Sequence, residues 1–300
     1  MPISVHPSRS EFLSAHGLRH HIRRWGTPGA PRLFLLHGWM DHSATFQFMV
    51  DALAHDWDII APDWRGFGAS QHNTGSYFAA DYLADLDAIL EHYSPQAPVR
   101  LVGHSMGGMV ASLYAGIRPE RVAALVSIEG FGLPATSPDE APARYARWLA
   151  QKRSGMRFGP IGDLQALVAK MLKRQPFLRP DRAAWLAGHW TETSDNGELR
   201  YRADPKHKMV NPVLYRLEEA RACWRHITCP VLWLAGDSPE PNSLTFNILE
   251  LMRERRDGFA DLREASIANA GHMVQQDQPE AVAAAVEAFL LETTAYGKAG

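Results

Sequence analysis

Val99-Arg100-Leu101-Val102-Gly103-His104-Ser105-Met106-Gly107-Gly108 is the stretch whose reading decides the fold. Apolar residues at 99, 101 and 102 make a short strand pattern, and a helical pattern from Met109 to Ile117 follows at once. The connection is therefore a strand, a sharp turn with Ser105 at its apex, and a helix. Glycines stand two residues before and two after the serine. Side chains at 103 and 107 would collide with the neighbouring strand and helix, so the tight turn demands their absence. The turn also aims the backbone N–H of Met106, and the positive end of the new helix, at the space above Ser105. Those are the requirements of a nucleophile. The plainer alternative is a glycine-rich strand–helix turn with an incidental serine.

Upstream, Leu33–Leu36 is a continuous apolar run, the mark of a strand buried on both faces, and it ends in His37-Gly38-Trp39-Met40. A helix is expected over Ser43–His55. Asp58–Asp63 reads as the next strand and leads into Asp63-Trp64-Arg65-Gly66-Phe67-Gly68-Ala69-Ser70, where Asp63 and Arg65 invite a local ion pair. Arg9–Ser14 and Leu18–Trp25, around the turn Ala15-His16-Gly17, read as an antiparallel hairpin at the sheet edge. Downstream, Ala123–Ile128 is a strand ending at Glu129-Gly130. Pro230–Gly236 is another, opening into Asp237-Ser238-Pro239-Glu240-Pro241. A strand around Asp261–Ile267 ends in Asn269-Ala270-Gly271-His272, before a terminal helix over Pro279–Leu291. Strands and helices alternate, which predicts an α/β fold with a mostly parallel, doubly wound sheet.

On the serine turn, His37-Gly38-Trp39, the Asp63–Ser70 loop and Gly271-His272, the sequence resembles the α/β-hydrolases from about Leu33 to Leu291. Its spacing is most similar to the serine-hydrolase-like esterases of that group. The resemblance implies that Trp39 N–H joins Met106 N–H in an oxyanion hole, and that His272 is the general base for Ser105. It implies no metal and no organic cofactor, because Ser-His-carboxylate chemistry is complete without one. His37 and Asp63 read as structural residues.

The carboxylate that orients the histidine has three candidates. Family members commonly carry it as an Asp three residues past the glycine that closes the PVLWLAG strand, and Pro239 stands there instead. Asp237 and Glu240 flank that position. Some relatives place the acid at the end of the strand after the nucleophile turn, where this sequence has Glu129. Chain order alone leaves Glu129 and the alternative acid Glu240 both open.

Residues 132–229 break the strand–helix rhythm. They are helical by period over Tyr145–Lys152, Asp163–Lys173, Arg182–Trp190 and Val213–Trp224, and punctuated by proline. This predicts a helical cap (lid) domain over 132–229, set into a core domain made of 1–131 and 230–300. Trp148, Trp185, Trp190, Phe158 and Phe177 are candidates to line an acyl pocket or to pack the cap. Of the 31 basic and 33 acidic residues, 17 and 10 fall between 131 and 229, leaving the segment at +7 and the remainder at −9. The imbalance reads as solvated helix faces or as a positive cap that steers anionic substrates.

A net charge of −2 points to no polyanionic partner and no nucleic acid. No apolar stretch reaches membrane-spanning length, and the N-terminal residues MPISVHPSRSEF lack the apolar segment of a signal peptide. With two cysteines, Cys223 and Cys229, at no metal-like spacing, a reduced cytoplasmic setting is expected, and the chain is expected to be a monomer or homodimer. The expected partner is a small-molecule ester, anionic or acyl-chain bearing. The chemistry expected is ester hydrolysis through an acyl-enzyme. Carbon–carbon or amide hydrolysis on the same residues, and a non-catalytic binding homologue, are the alternatives.

Overall fold

Residues 5–238 and 248–296 are described by the computed structural model. The chain begins with the hairpin β1 (Arg9–Ala15) and β2 (Leu18–Gly26). It continues through β3 (Arg32–Leu36), a short helix α1 (Gln47–Asp51), β4 (Asp58–Pro62), α2 (Ala79–Tyr93), β5 (Val99–His104), α3 (Met106–Ile117) and β6 (Val122–Ile128). An insertion follows: α4 (Ala141–Ser154), α5 (Leu164–Arg174), α6 (Pro180–Trp190), the small hairpin β7 (Thr191–Thr193) and β8 (Leu199–Tyr201), and α7 (Leu217–Trp224). The alternation then resumes with β9 (Val231–Gly236), α8 (Ile248–Arg255), β10 (Leu262–Ile267), α9 (Val274–Asp277) and α10 (Pro279–Tyr296).

The main sheet runs β1-β2-β4-β3-β5-β6-β9-β10. The β1–β2 and β2–β4 pairings are antiparallel; every other neighbouring pair is parallel. Strand pleating sends alternate side chains to opposite faces, and β3 shows the result. Phe34 and Leu36 join Leu101, Val110 and Trp224 on the face covered by α2, α3 and α7. Leu33 and Leu35 join Val126, Leu234, Val286 and Phe289 on the face covered by α1 and α10. Burial on both faces is why these strands are uninterrupted apolar runs. A third cluster, Leu167, Met171, Leu178, Ala183, Leu186 and Ala187, packs α5 and α6 onto Phe48 of α1.

Two expectations need correction. The helix expected over Ser43–His55 is a 3-10 turn at Ser43–Phe46 and then α1, which stops at Asp51. The Ala54 and His55 N–H groups, needed to continue it, donate instead to the Glu287 carboxylate of α10 at 2.8 and 2.9 Å. Asp63 and Arg65 do not pair with each other. Arg65 takes a two-point hold on Asp85 at 2.6 and 2.5 Å, whereas Asp63 accepts from His21 Nδ1 at 2.7 Å and from the Ser43 and Ala69 N–H groups. Asp63 thus ties β2, the loop after β3 and its own loop together.

Candidate active site

The parallel strands end on one edge of the sheet, the edge at which α/β folds assemble their sites. There β5 delivers Ser105, β6 delivers Glu129, β3 delivers His37 to Met40, and β10 leads to His272. Ser105 sits at φ 50°, ψ −117°, strained backbone for a residue with a Cβ. Its N–H donates to Ile128 O at 2.8 Å, which fixes the apex of the turn to β6. A Cβ at Gly107 would lie 2.1 Å from Leu36 O of β3, and one at Gly103 would lie 2.5 Å from the Gly107 backbone in α3. The expected collisions with strand and helix are therefore present.

His272 Nε2 lies 3.1 Å from Ser105 Oγ, and His272 Nδ1 lies 3.3 Å from Glu129 Oε2. A carboxylate only accepts, so Nδ1 carries the proton and Nε2 is left to accept from the serine hydroxyl. Glu129 is buried at φ 53°. Its N–H donates to Leu234 O at 2.9 Å and its Oε1 accepts from Gly236 N–H at 2.9 Å. β9 therefore grips this residue at backbone and side chain, leaving one oxygen for the imidazole.

Asp237 is engaged elsewhere: its Oδ1 accepts from Asn269 N–H at 2.9 Å and from the Ser238 hydroxyl at 2.8 Å. Glu240 lies outside the described residues. Met106 opens α3, where the first N–H groups have no acceptor within the helix. The turn bearing Trp39 lies against the serine, since a Cβ on Gly38 would sit 3.1 Å from Ser105 Cβ. His37 braces that turn. Its Nδ1–H donates to Gly38 O at 2.8 Å and its Nε2 accepts from Trp64 N–H at 2.9 Å, while burial holds it neutral, down to about 4.

Two interactions here were not foreseen from sequence. His104 Nε2–H donates to the carbonyl of His272 at 2.8 Å, and burial, together with the neighbouring His272, keeps its ring neutral, well below the usual histidine value. Asp41 is buried and accepts the indole N–H of Trp190, at the end of α6, at 2.9 Å; burial pushes its carboxyl up to about 6. The sequence hint for both was a polar residue beside an apolar strand, a weak one. Of the aromatic residues proposed for a pocket, Trp190 makes this link, Trp185 stacks on His189 and meets Phe48 edge-on, and Phe158 packs against Tyr201. Trp148 and Phe177 are half-buried. Among the described residues, no three or more His, Cys, Asp or Glu side chains are grouped to hold a metal ion.

The family model for the alpha/beta hydrolase fold matches residues 31–279. The chain belongs to the α/β-hydrolases. A serine hydrolase-like protein of Dictyostelium discoideum is 24% identical to this α/β-hydrolase over 279 residues, covering 88% of it and 77% of the relative. Epoxide hydrolase A of Mycobacterium tuberculosis is 26% identical, covering 93% and 96% of the two chains. Among solved structures, the thioesterase domain from the curacin biosynthetic pathway superposes with a TM-score of 0.79 at 23% identity, over 93% of this chain and 99% of that one. That likeness is one of fold.

Proposed function

We propose that this α/β-hydrolase cleaves carboxylic esters through an acyl-enzyme on Ser105. The observation that carries the reading is the hydrogen-bonded line from Ser105 Oγ through His272 to a buried Glu129. In the proposed reaction His272 Nε2 takes the hydroxyl proton as Ser105 Oγ attacks the ester carbonyl, and Glu129 stabilises the imidazolium. The Trp39 and Met106 N–H groups hold the oxyanion, a role in which each donor is worth about 2.7–4 kcal/mol. His272 then protonates the departing alcohol, and in the second half-reaction it deprotonates the water that releases the acid. The insertion serves as a cap over this edge, tied to it by Trp190 and Asp41.

The serine hydrolase-like relative supports the nucleophile assignment. The epoxide hydrolase relative does not redirect it, because epoxide hydrolases of this fold use an aspartate at the turn and this chain has Ser105. The test is labelling by a fluorophosphonate probe together with p-nitrophenyl ester turnover. The native chain is expected to label and turn over. Ser105→Ala should do neither while melting at an unchanged temperature, with a loss in kcat on the order of 10³ or more. Ser105→Ala within tenfold of the native chain would overturn the reading, and a native chain that never labels would favour a binding protein on this fold.

A further inference from the structure

Helix α4 leaves two large apolar residues in solvent. At 3.6 residues per turn, Ala141, Arg144, Trp148 and Gln151 share one side, and these are the half-buried ones. Arg144 Nη1 donates to Asn211 O at 3.5 Å, and Gln151 Oε1 accepts from Val210 N–H at 2.8 Å. No residue of α4 is buried. Beside them stands Tyr145, 50% exposed, and farther round toward solvent stand Leu149, 52% exposed, Ala146 and Ala150. Val213, 60% exposed, lies just beyond the Val210–Asn211 segment that bonds α4.

The helix around this patch is basic. Between Ala141 and Ser154 the helix carries Arg144, Arg147, Lys152 and Arg153 and no acidic residue. The two acids just before it include Glu140, which is already held by Arg144 and the Ser137 N–H. Among the described residues no ion pair involves Arg147, Lys152 or Arg153, and Lys152 Nζ sits 6.0 Å from the Trp148 ring centre. The helix lies in the segment of charge +7, while the rest of the chain stands at −9.

We propose that the outward face of α4 docks on an anionic lipid surface, with Tyr145 and Leu149 entering the boundary between headgroups and acyl chains. Lys152 and Arg153, three and four residues past Leu149, would then meet the lipid phosphates. The charge argues for lipid over a second copy of the chain. A twofold contact through this patch would bring two sets of unneutralised cations together, and an anionic surface neutralises them. The excess negative charge of the remaining chain is repelled by the same surface, which orients the molecule with the insertion downward.

The inference is independent of the reaction proposed above, because docking and turnover are read separately. The experiment is co-sedimentation of the full chain with vesicles of phosphatidylcholine alone and of phosphatidylcholine containing one-third phosphatidylglycerol. The expected result is at least tenfold stronger binding to the anionic vesicles, most of it lost at high salt. The pair Tyr145→Ser and Leu149→Gln should weaken that binding at least tenfold. The pair Lys152→Gln and Arg153→Gln should remove the preference for anionic lipid. Both double variants should keep the native melting temperature and native turnover of a soluble p-nitrophenyl ester. No binding to anionic vesicles at low salt overturns the proposal, as does equal binding by the native chain and both variants. A dimer that Tyr145→Ser with Leu149→Gln converts to monomer in sedimentation velocity also overturns it, in favour of a self-contact.

Discussion

Glu129 is fixed at three points: its N–H on Leu234 O, one carboxylate oxygen on Gly236 N–H, the other facing His272 Nδ1. Glu129→Gln tests what the third contact does. The amide oxygen can keep the Gly236 bond, which leaves the NH₂ facing Nδ1. The imidazole must then carry its proton on Nε2, aimed at the serine it should deprotonate. Loss of this kind lowers kcat by about 10⁴ in a serine protease. A similar fall is expected here, with the melting temperature nearly unchanged; near-normal ester turnover would move the acid role to the loop holding Glu240. His104 acts through another residue. It holds the His272 carbonyl and so positions the ring, and His104→Ala should lower kcat about tenfold to a hundredfold with KM unchanged. His104→Gln, which restores an N–H donor, should recover part of that. A parallel rise in KM, or no recovery, would show a packing role instead. Sequence named Ser105 and His272 because the turn chemistry around each is local. It left three acids open because the contact that favours Glu129 in our proposal, with His272, spans 143 positions, and no local pattern encodes that.

At the scale of elements, the parallel strands were legible because burial on both faces leaves no room for polar positions. What depended on distant partners was not. After α1 ends at Asp51, Glu287 on the last helix takes the Ala54 and His55 N–H groups. The β7–β8 hairpin interrupts the helical period of the insertion, and Asn196-Gly197, with Gly197 at φ 83°, is the local signal of its turn. The helices of the insertion appear close to their expected positions, yet their link to the sheet, Trp190 on Asp41, joins residues 149 positions apart. That link has a testable pH signature. Burial raises the Asp41 carboxyl from 3.8 to about 6, so folding carries a charge penalty that develops above about pH 4 and is complete above pH 6. Asp41→Asn accepts the same indole N–H without the charge. It should raise stability by up to about 2–3 kcal/mol at pH 7.5 and by nearly nothing at pH 4, as read by denaturant titration. Lower stability of the variant at pH 7.5 would mean that the charge itself holds α6 in place.

Over the whole molecule, buried and half-buried histidines set the response to acid. His20, His37, His42, His104, His189 and His207 are all held below the ordinary value of 6.5, with burial the leading cause in each. His37 falls to about 4 and His207 to about 3. The unfolded chain protonates such groups below pH 6.5 and the folded chain does not, so it is the unfolded state that binds the extra protons and stability falls as pH drops. Asp41 opposes this between about pH 4 and 6, since the folded form there holds a proton that the unfolded form has lost. Asp63 lies outside that window. Burial works against its carboxylate, but the hydrogen bond and positive potential of His21 hold it far below 3.8, so its contribution is lost only in stronger acid. At pH 5.5, four deeply neutral histidines less one Asp41 proton give an uptake on unfolding of roughly three protons, a slope of about 4 kcal/mol per pH unit. Calorimetric unfolding in buffers of different ionisation enthalpy measures that uptake directly. A protein limited by its carboxylates would instead show uptake near zero at pH 5.5 and a flat melting temperature from pH 7 down to about 4.5. That outcome would require the buried rings of His37, His42, His104 and His207 to be charged in the native fold. The bonds they make deny this for two of them: His37 Nε2 accepts a backbone N–H from Trp64, and His42 Nδ1 accepts one from Ala44, which only unprotonated nitrogens can do.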